Sequence, residues 1–105
     1  MPLDIRPDHL EIIRNILGSV IPEREVWAFG SRVNGTARKT SDLDLVVIGM
    51  HPLEFQTLGR LLDAFSVSDL PYKVDVVDWS RTGEGFRTII DSHHVVLQKP
   101  HRESQ

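Results

Sequence analysis

The sequence predicts an α/β (α+β) domain built on a small mixed β-sheet, with helices packed mainly on one face. Short apolar runs rich in β-branched and aromatic residues alternate with segments of helical periodicity. One helical segment, residues 52–66, is a clear crossover between two strands, whereas a polar, loop-like stretch joins the first two strands. The chain of 105 residues fits one domain with one modest core.

The predicted elements follow the order helix, strand, short helical turn, strand, helix, strand, helix, strand. The first helix covers residues 7–18, because Pro7 suits a first helical turn and Gly18 suits a helix end. Its buried stripe is formed by Leu10, Ile13 and Leu17. Strands are predicted at 25–29, 43–48, 73–79 and 95–97.

Two further helices are defined by apolar stripes. The crossover helix begins at Pro52, and its apolar side is formed by Phe55, Leu58, Leu61, Leu62 and Phe65. The last helix extends to about Asp91, with the inward residues Phe86, Ile89 and Ile90. Residues 1–98 are therefore expected to form a single domain. The polar segment 99–105, which contains Pro100, is expected to be a flexible tail.

The composition excludes several classes of function. The chain has no cysteine, which rules out disulfides, thiolate zinc sites and cysteine nucleophiles and fits a cytoplasmic protein. No apolar run approaches the roughly 18–20 residues that span a bilayer, so no membrane partner is expected. The net charge is −3, and direct nucleic-acid binding normally needs a basic surface, so we do not expect it.

Three aspartates interrupt two otherwise apolar strands. Asp42 and Asp44 are two residues apart, so on a strand their side chains point to the same face. Asp75 lies between two valines of a later strand, and if the two strands are neighbours all three carboxylates meet. Carboxylate oxygens are the ligands that Mg²⁺ prefers, and three carboxylates can hold two ions. Solvated strand positions or a turn cap explain each aspartate alone, and Asp78 is better explained as a helix cap.

A glycine and a serine end the first strand. Gly30 lets the backbone turn sharply and approach a ligand closely, and the amides that follow it favour phosphate. Ser31 adds a hydroxyl donor. By itself a Gly-Ser pair is an ordinary turn. Its position before an Asp-x-Asp strand brings a phosphate site and a metal site onto one sheet, which phosphoryl and nucleotidyl transfer require.

The segment FGSRVNGTARKTSDLDLVV resembles the signature of the minimal nucleotidyltransferase (MNT) domain of the DNA polymerase β superfamily. The pattern G-S-R-x-x-G-x-A-x-x-x-S-D-x-D-L is met from Gly30 to Leu45, and Asp75 matches the later strand aspartate. The resemblance covers about residues 10–97 but is specific mainly in residues 29–48. Thr36 stands where an acidic residue is frequent in the family.

The resemblance implies a polymerase-β-like palm and assigns roles to seven residues. Asp42, Asp44 and Asp75 would bind two Mg²⁺ ions, and Asp75 could help to deprotonate the attacking hydroxyl. Phosphate contacts would come from Gly30, Ser31, Arg32 and Arg38, although either arginine could instead contact an acidic partner or solvent. The implied substrate is ATP.

The resemblance also implies a partner. Stand-alone proteins of this kind resemble the antitoxin of a two-gene system whose toxin is an all-helical HEPN ribonuclease, and some members transfer AMP to a tyrosine of that toxin. Nothing in the sequence resembles a separate substrate-binding domain, which favours a protein acceptor. Two alternatives stay open: a non-catalytic toxin-binding module, and a small-molecule (aminoglycoside-type) nucleotidyltransferase.

Overall fold

The computed structural model describes residues 3–101 of the chain, and within them four strands and four α-helices follow the predicted order. The helices are α1 (Pro7–Val20), α2 (Ser31–Asn34), α3 (Phe55–Ser66) and α4 (Glu84–Ser92), with a 3₁₀ turn at Trp79–Arg81. The strands are β1 (Glu25–Phe29), β2 (Leu43–Ile48), β3 (Val74–Asp78) and β4 (Val95–Gln98). The predicted strands and the predicted helical turn after β1 are thus confirmed.

The four strands form one mixed sheet in the order β3-β2-β1-β4. The central strand β1 runs antiparallel to both β2 and β4, whereas β2 and β3 are parallel. A parallel pair requires a crossover connection, and α3 provides it, as the sequence predicts.

One side of the sheet, the core face, is fully covered. It carries Val26, Ala28, Leu45 and Val47, and the two long helices α1 and α3 pack against it. Ile13 and Leu17 of α1 and Leu61 and Phe65 of α3 are buried in the same cluster. The two longest helices therefore lie on one face, which confirms the predicted arrangement.

The other side, the open face, carries Trp27, Phe29, Asp44, Val46 and Asp75. Its buried cluster is small and consists of Phe29, Val46 and Ile90. Only α4 and the 3₁₀ turn contribute apolar side chains to it from outside the sheet, within the described residues. Much of this face consequently remains accessible beside the two aspartates.

Two predicted helix boundaries are wrong. Helix α1 continues past Gly18 to Val20, and the backbone N–H of Ile21 still donates to the carbonyl of Leu17. Ile21 is completely buried, and this burial outweighs the roughly 1 kcal/mol that a helical glycine costs. Helix α3 begins at Phe55 rather than at Pro52, because the backbone N–H of Leu53 donates to the Asp78 carboxylate and holds that segment outside the helix.

The apolar stripes of α3 and α4 are narrower than predicted. On α3 the buried residues are Leu61 and Phe65, whereas Phe55 is 89% exposed and Leu62 is also exposed. On α4 only Ile90 is buried; Ile89 is 65% exposed and Phe86 39%. The sequence pattern identifies the helices correctly but overestimates how much of each apolar side the small sheet can cover.

The segment predicted to be a tail lies partly outside the described residues, because the structure describes the chain only to His101. The backbone N–H of His101 donates to the carbonyl of Pro22 at 2.7 Å. Within residues 3–101, no helix combines the length and the apolar character that crossing a bilayer requires.

Candidate active site

Asp44 and Asp75 lie side by side on the open face. They are register partners across the parallel strands β2 and β3, so their side chains point to the same side of the sheet. The sequence predicts this arrangement only on the condition that the two strands are neighbours, and the sheet order fulfils that condition. Two carboxylates are thereby fixed on adjacent strands, on the side that the long helices leave open.

The electrostatics of Asp44 reflect this crowding. Burial raises the pKa of its carboxyl group above the ordinary value, and the charges of Asp75 and Asp42 raise it further. Each of these effects disfavours the ionised form of Asp44. A cation bound among the three carboxylates would reverse the effect of the neighbouring charges, so the donor set fits a hard divalent ion.

Asp42 is exposed, whereas Asp75, like Asp44, is partly buried. Asp42 lies in the loop before β2, and Asp75 is paired with Lys73, whose Nζ lies 3.5 Å from Oδ1 of Asp75. Across residues 3–101, no group of three His, Asp or Glu side chains is already gathered into metal-binding geometry.

Gly30 forms the turn between β1 and α2 with a φ of 81°, in the left-handed region that favours glycine. A Cβ atom built at this position would collide with Oδ2 of Asp44. The backbone angle favours glycine at position 30, and a larger residue there would also displace the Asp44 carboxylate. The turn and the aspartate pair are parts of one site.

Ser31 is the first residue of α2. The carbonyl of Gly30 accepts the N–H groups of Val33 and Asn34, which closes the first turn of the helix. The N–H groups of the first helical residues have no carbonyl in a preceding turn to bind, so they are suited to an anion placed beside Gly30. This is the position at which the sequence predicts phosphate oxygens.

The structure corrects the expectation that Arg32 contacts phosphate. Arg32 is 5% exposed, and its guanidinium donates to main-chain carbonyls: to Ser41 at 2.8 and 3.1 Å, to Lys39 at 3.1 Å and to Asp4 at 3.0 Å. It also lies 3.9 Å from the centre of the Tyr72 ring. These contacts occupy the side chain, which orders the loop leading to Asp42 instead of facing a ligand.

Arg38 is exposed. It lines a cavity of about 520 Å³ together with Arg6, Lys39 and Tyr72. Its backbone, in contrast, is fixed, since its N–H donates to Oγ of Ser41 at 2.7 Å. The basic groups that line this cavity are compatible with contact between Arg38 and an acidic partner, and its role remains a prediction.

Two residues outside the proposed site have clear structural roles. Asp78 accepts hydrogen bonds from the backbone N–H and the hydroxyl of Ser80, at 3.2 and 2.8 Å, which confirms its interpretation as a cap. His94 is half-buried and stacks on Trp27 with ring centres 3.8 Å apart, a long-range contact that sequence spacing cannot indicate.

A mixed sheet with a glycine turn facing paired strand aspartates defines a nucleotidyltransferase palm. Residues 11–102 match the family model described as polymerase beta, nucleotidyltransferase, and the chain therefore belongs to this family. The chain is thus a nucleotidyltransferase, an enzyme whose substrate is a nucleotide.

The relatives narrow this class further. The chain is 52% identical over 97 residues to the "Probable protein adenylyltransferase MntA" of Haemophilus influenzae (strain ATCC 51907 / DSM 11121 / KW20 / Rd). That alignment covers 92% of this chain and 85% of the relative. Family membership and polymerase-β-like fold, both expected from the signature segment, are confirmed.

Solved structures give the same result for the fold. A toxin-antitoxin crystal structure with AMP-PNP matches with a TM-score of 0.70 and 25% identity, covering 84% of this chain and 71% of the other. A tri-AMPylated Shewanella oneidensis HEPN toxin in complex with MNT antitoxin matches with a TM-score of 0.61 and 22% identity, over the same shares of the two chains.

Proposed function

We propose that this chain is an Mg²⁺-dependent protein adenylyltransferase that transfers AMP from ATP to a tyrosine hydroxyl of a HEPN-type toxin and so acts as its antitoxin. The observation that carries the proposal is the register pairing of Asp44 with Asp75, directly beside the Gly30 turn. This arrangement supports a cation site directly beside a phosphate site. In the proposal, residues 1–98 act as one domain in the cytoplasm.

The relatives support the choice of substrate and acceptor. The Haemophilus influenzae relative carries the name of a protein adenylyltransferase, and the match at 25% identity is a toxin-antitoxin complex with the ATP analogue AMP-PNP. A protein acceptor also fits the small size of this chain, because an incoming partner can supply the surface that a separate substrate domain would otherwise provide.

The phosphates and the cations are held by opposite sides of the site. Backbone amides at Gly30 and Ser31 and the Ser31 hydroxyl bind the β- and γ-phosphates. Asp42, Asp44 and Asp75 hold two Mg²⁺ ions, which when bound neutralise charge on the triphosphate and on the attacking and leaving oxygens. Arg32 contributes indirectly, since its hydrogen bonds to the loop carbonyls position the chain that leads to Asp42.

The acceptor hydroxyl attacks the α-phosphorus in line with the leaving group. A bond forms between the acceptor oxygen and the α-phosphorus, and the bond from the α-phosphorus to the bridging oxygen breaks, releasing pyrophosphate. Asp75 accepts the proton of the hydroxyl. Because β3 is an edge strand, the acceptor can approach Asp75 from the side of the sheet without disturbing the Gly30 turn.

The decisive experiment combines the purified chain, ATP and Mg²⁺ with the HEPN-type protein encoded in the same genome. Intact-mass spectrometry should show that the HEPN-type protein gains one or more AMP units. The gain should disappear with Asp42→Asn/Asp44→Asn. A matched control, Asp63→Asn/Asp91→Asn, removes two exposed carboxylates elsewhere and should leave the gain unchanged.

Inhibition of the partner without any mass change would contradict the enzymatic proposal and favour a second function, neutralisation by complex formation alone. A specific observation supports this second function: several large apolar side chains remain exposed, including Met50 and Phe55, each at 89%. Exposed apolar groups of this size are typical of surfaces that bind other proteins. Both functions require the partner, and only the first requires Asp42 and Asp44.

A further inference from the structure

The outer edge of β3 is an open strand edge directly beside the proposed site. Strand β3 lies at the end of the sheet, and no other strand pairs with its outer side in the part of the chain that the structure describes. The N–H of Leu43 donates to the carbonyl of Lys73, so Lys73 and Asp75 direct their main-chain groups towards β2. The N–H and C=O groups of Val74 and Val76 therefore point outwards, where they can bind an added strand.

Two cavities follow this edge on the core-face side. A cavity of about 460 Å³ is lined by Val74 and Leu62, and a second of about 400 Å³ is lined by Val76, Phe55 and Leu58. Val74 and Val76 are about 6.5–7 Å apart along the strand, which is also the spacing of alternate side chains in any added strand. Two side chains of one extended segment can therefore occupy the two cavities at once.

The walls of both cavities contain large apolar side chains that the fold leaves uncovered. Phe55 is 89% exposed and Leu62 is 41% exposed. The contact between α3 and the sheet does not depend on them, because Leu61 and Phe65 are the buried residues of this helix. Apolar side chains of a bound segment would cover the exposed groups and remove them from water.

The residue of an added strand that lies opposite Asp75 points to the open face, because cross-strand partners share a face. The main-chain groups of Asp75 face β2, so in an antiparallel pair this position is not hydrogen-bonded, and the two Cα atoms are only about 4.5 Å apart. Aromatic side chains reach both the opposite residue and its diagonal neighbours. A tyrosine at this position would bring its hydroxyl over Asp75, on the side of the sheet that carries Asp44.

We propose that the acceptor tyrosine is presented by an extended segment of the partner protein, which adds to the outer edge of β3 as an antiparallel strand. The tyrosine lies opposite Asp75, and the apolar residues immediately before and after it enter the two cavities. The inference rests on the proposed function, because it takes Asp75 to accept the proton of the hydroxyl. Main-chain hydrogen bonds to Val74 and Val76 supply affinity, and the cavities select the flanking residues.

A second copy of this chain fits the same edge less well. To fill both cavities with its own β3, the copy would have to insert Val74 and Val76, which places its Asp75 directly opposite the first Asp75. Like charges directly opposite each other destabilise a strand pair. The acceptor segment avoids this repulsion, since a tyrosine takes the place of the second carboxylate.

A cation at one end of the edge adds charge complementarity. Arg81 lines the second cavity, is exposed and makes no ion pair within residues 3–101. It follows the carboxyl end of β3, and an antiparallel segment has its amino-terminal side there. The acceptor segment should therefore carry an acidic residue before the tyrosine rather than after it.

Amide hydrogen exchange tests the strand addition directly, with the wild-type chain measured alone and then with the HEPN-type protein encoded in the same genome. In the free chain the outward N–H of Val76 should exchange faster than the N–H of Val77, which faces β2. The partner should slow exchange at Val76 by at least about tenfold and change Val77 much less. Unchanged exchange at Val76 in a partner that gains AMP would overturn the inference. Protection of Val76 that rises with the concentration of the chain alone would also overturn it, in favour of a second copy.

Leu62→Glu tests the cavities by placing a charge in one of them. Transfer to the HEPN-type protein should show a KM about tenfold higher, with kcat and Mg²⁺-dependent ATP binding unchanged, because only docking of the segment is weakened. Val67→Glu is the matched control: this residue follows the same helix, is 75% exposed and lines neither cavity, so its KM should equal that of wild type. An unchanged KM for Leu62→Glu, or equal increases in both variants, would overturn the strand-addition site alone. Wild-type protein that transfers no AMP would overturn the proposed function as well.

Discussion

The two faces of the sheet differ in what they contribute, and adjacent residues of β2 show the difference most clearly. Leu45 points to the core face and is completely buried among α1, α3 and the neighbouring strands. Asp44 points to the open face, half-buried, beside another carboxylate and a glycine that leaves it no spare room. Side chains on one side of β2 thus support stability, and those on the other side support the proposed chemistry. Mutations on the two sides should therefore affect stability and activity separately.

The largest effect is expected from Asp44→Asn. Losing a proposed cation ligand should lower adenylyl transfer by about a thousandfold or more, since a bound cation supplies several kcal/mol of charge stabilisation. The metal-free protein should melt at a slightly higher temperature, because the substitution removes repulsion with Asp42 and Asp75. Transfer rates and thermal melts check both parts. A strong decrease in melting temperature would instead show that Asp44 is a structural residue and that the open face also contributes to stability.

On the other side of the same strand, Leu45→Ala should act on stability alone. Removing a fully buried leucine should lower the free energy of unfolding by about 3–5 kcal/mol. Urea denaturation measures this loss, and Mg²⁺-dependent ATP binding at a temperature where the variant is folded should match wild type. Loss of ATP binding by a folded Leu45→Ala protein would show that the two faces are coupled.

Substitution of Arg32 tests whether its hydrogen bonds to the loop before Asp42 contribute to the stability of the protein. Arg32→Gln should cost about 2–3 kcal/mol of stability, because buried carbonyls lose a charged donor. Arg38→Gln, at an exposed position six residues further along the chain, should change stability by less than about 0.5 kcal/mol. Denaturation curves of the two variants give the comparison. Equal effects would mean that the hydrogen bonds of Arg32 add nothing to stability.

The smallest effect concerns pH. The pKa of Asp44 is raised in the folded protein above its ordinary value of 3.8, first by burial and then by Asp75 and Asp42. Between the ordinary and the raised pKa, the folded state binds more protons than the unfolded state. The contribution of the Asp44 carboxyl group to the free energy of unfolding is therefore complete below pH 3.8 and is lost as pH rises through the raised pKa.

The difference in unfolding free energy between wild type and Asp44→Asn, measured without metal across this range, isolates that contribution from other carboxylates. Relative to the variant, wild type should become less stable as pH rises. A constant difference between the two proteins would show that Asp44 is not crowded in the folded state.

Much of the architecture is predictable from local sequence. Alternating apolar residues define the strands, and the signature from Gly30 to Leu45 identifies the family, because both depend on neighbouring residues only. The pairing of Asp44 with Asp75 is predictable only conditionally, since strand order depends on how distant segments meet. The roles of the site residues remain proposals.

Other features lie beyond local patterns. The exposure of Phe55, Leu62 and Ile89 depends on how far a four-stranded sheet extends, which periodicity along a helix does not reveal. The burial of Arg32 depends on carbonyl groups of the loop and of Asp4, which meet only in the folded chain. In both cases the residue type predicts one degree of burial, and tertiary packing determines another.

The last strand has a consequence for how the protein is made. Gln98, at the end of β4, donates to the carbonyl of Arg24, 74 residues earlier in the chain, and β4 covers the outer edge of β1. During synthesis β1 leaves the ribosome long before β4 does, and until then its edge has open hydrogen-bonding groups that can pair with other chains. A chain cut short before β4 would keep the whole signature segment, but the edge of β1 would stay open and prone to aggregate. Protection of this edge therefore requires that translation continue through β4.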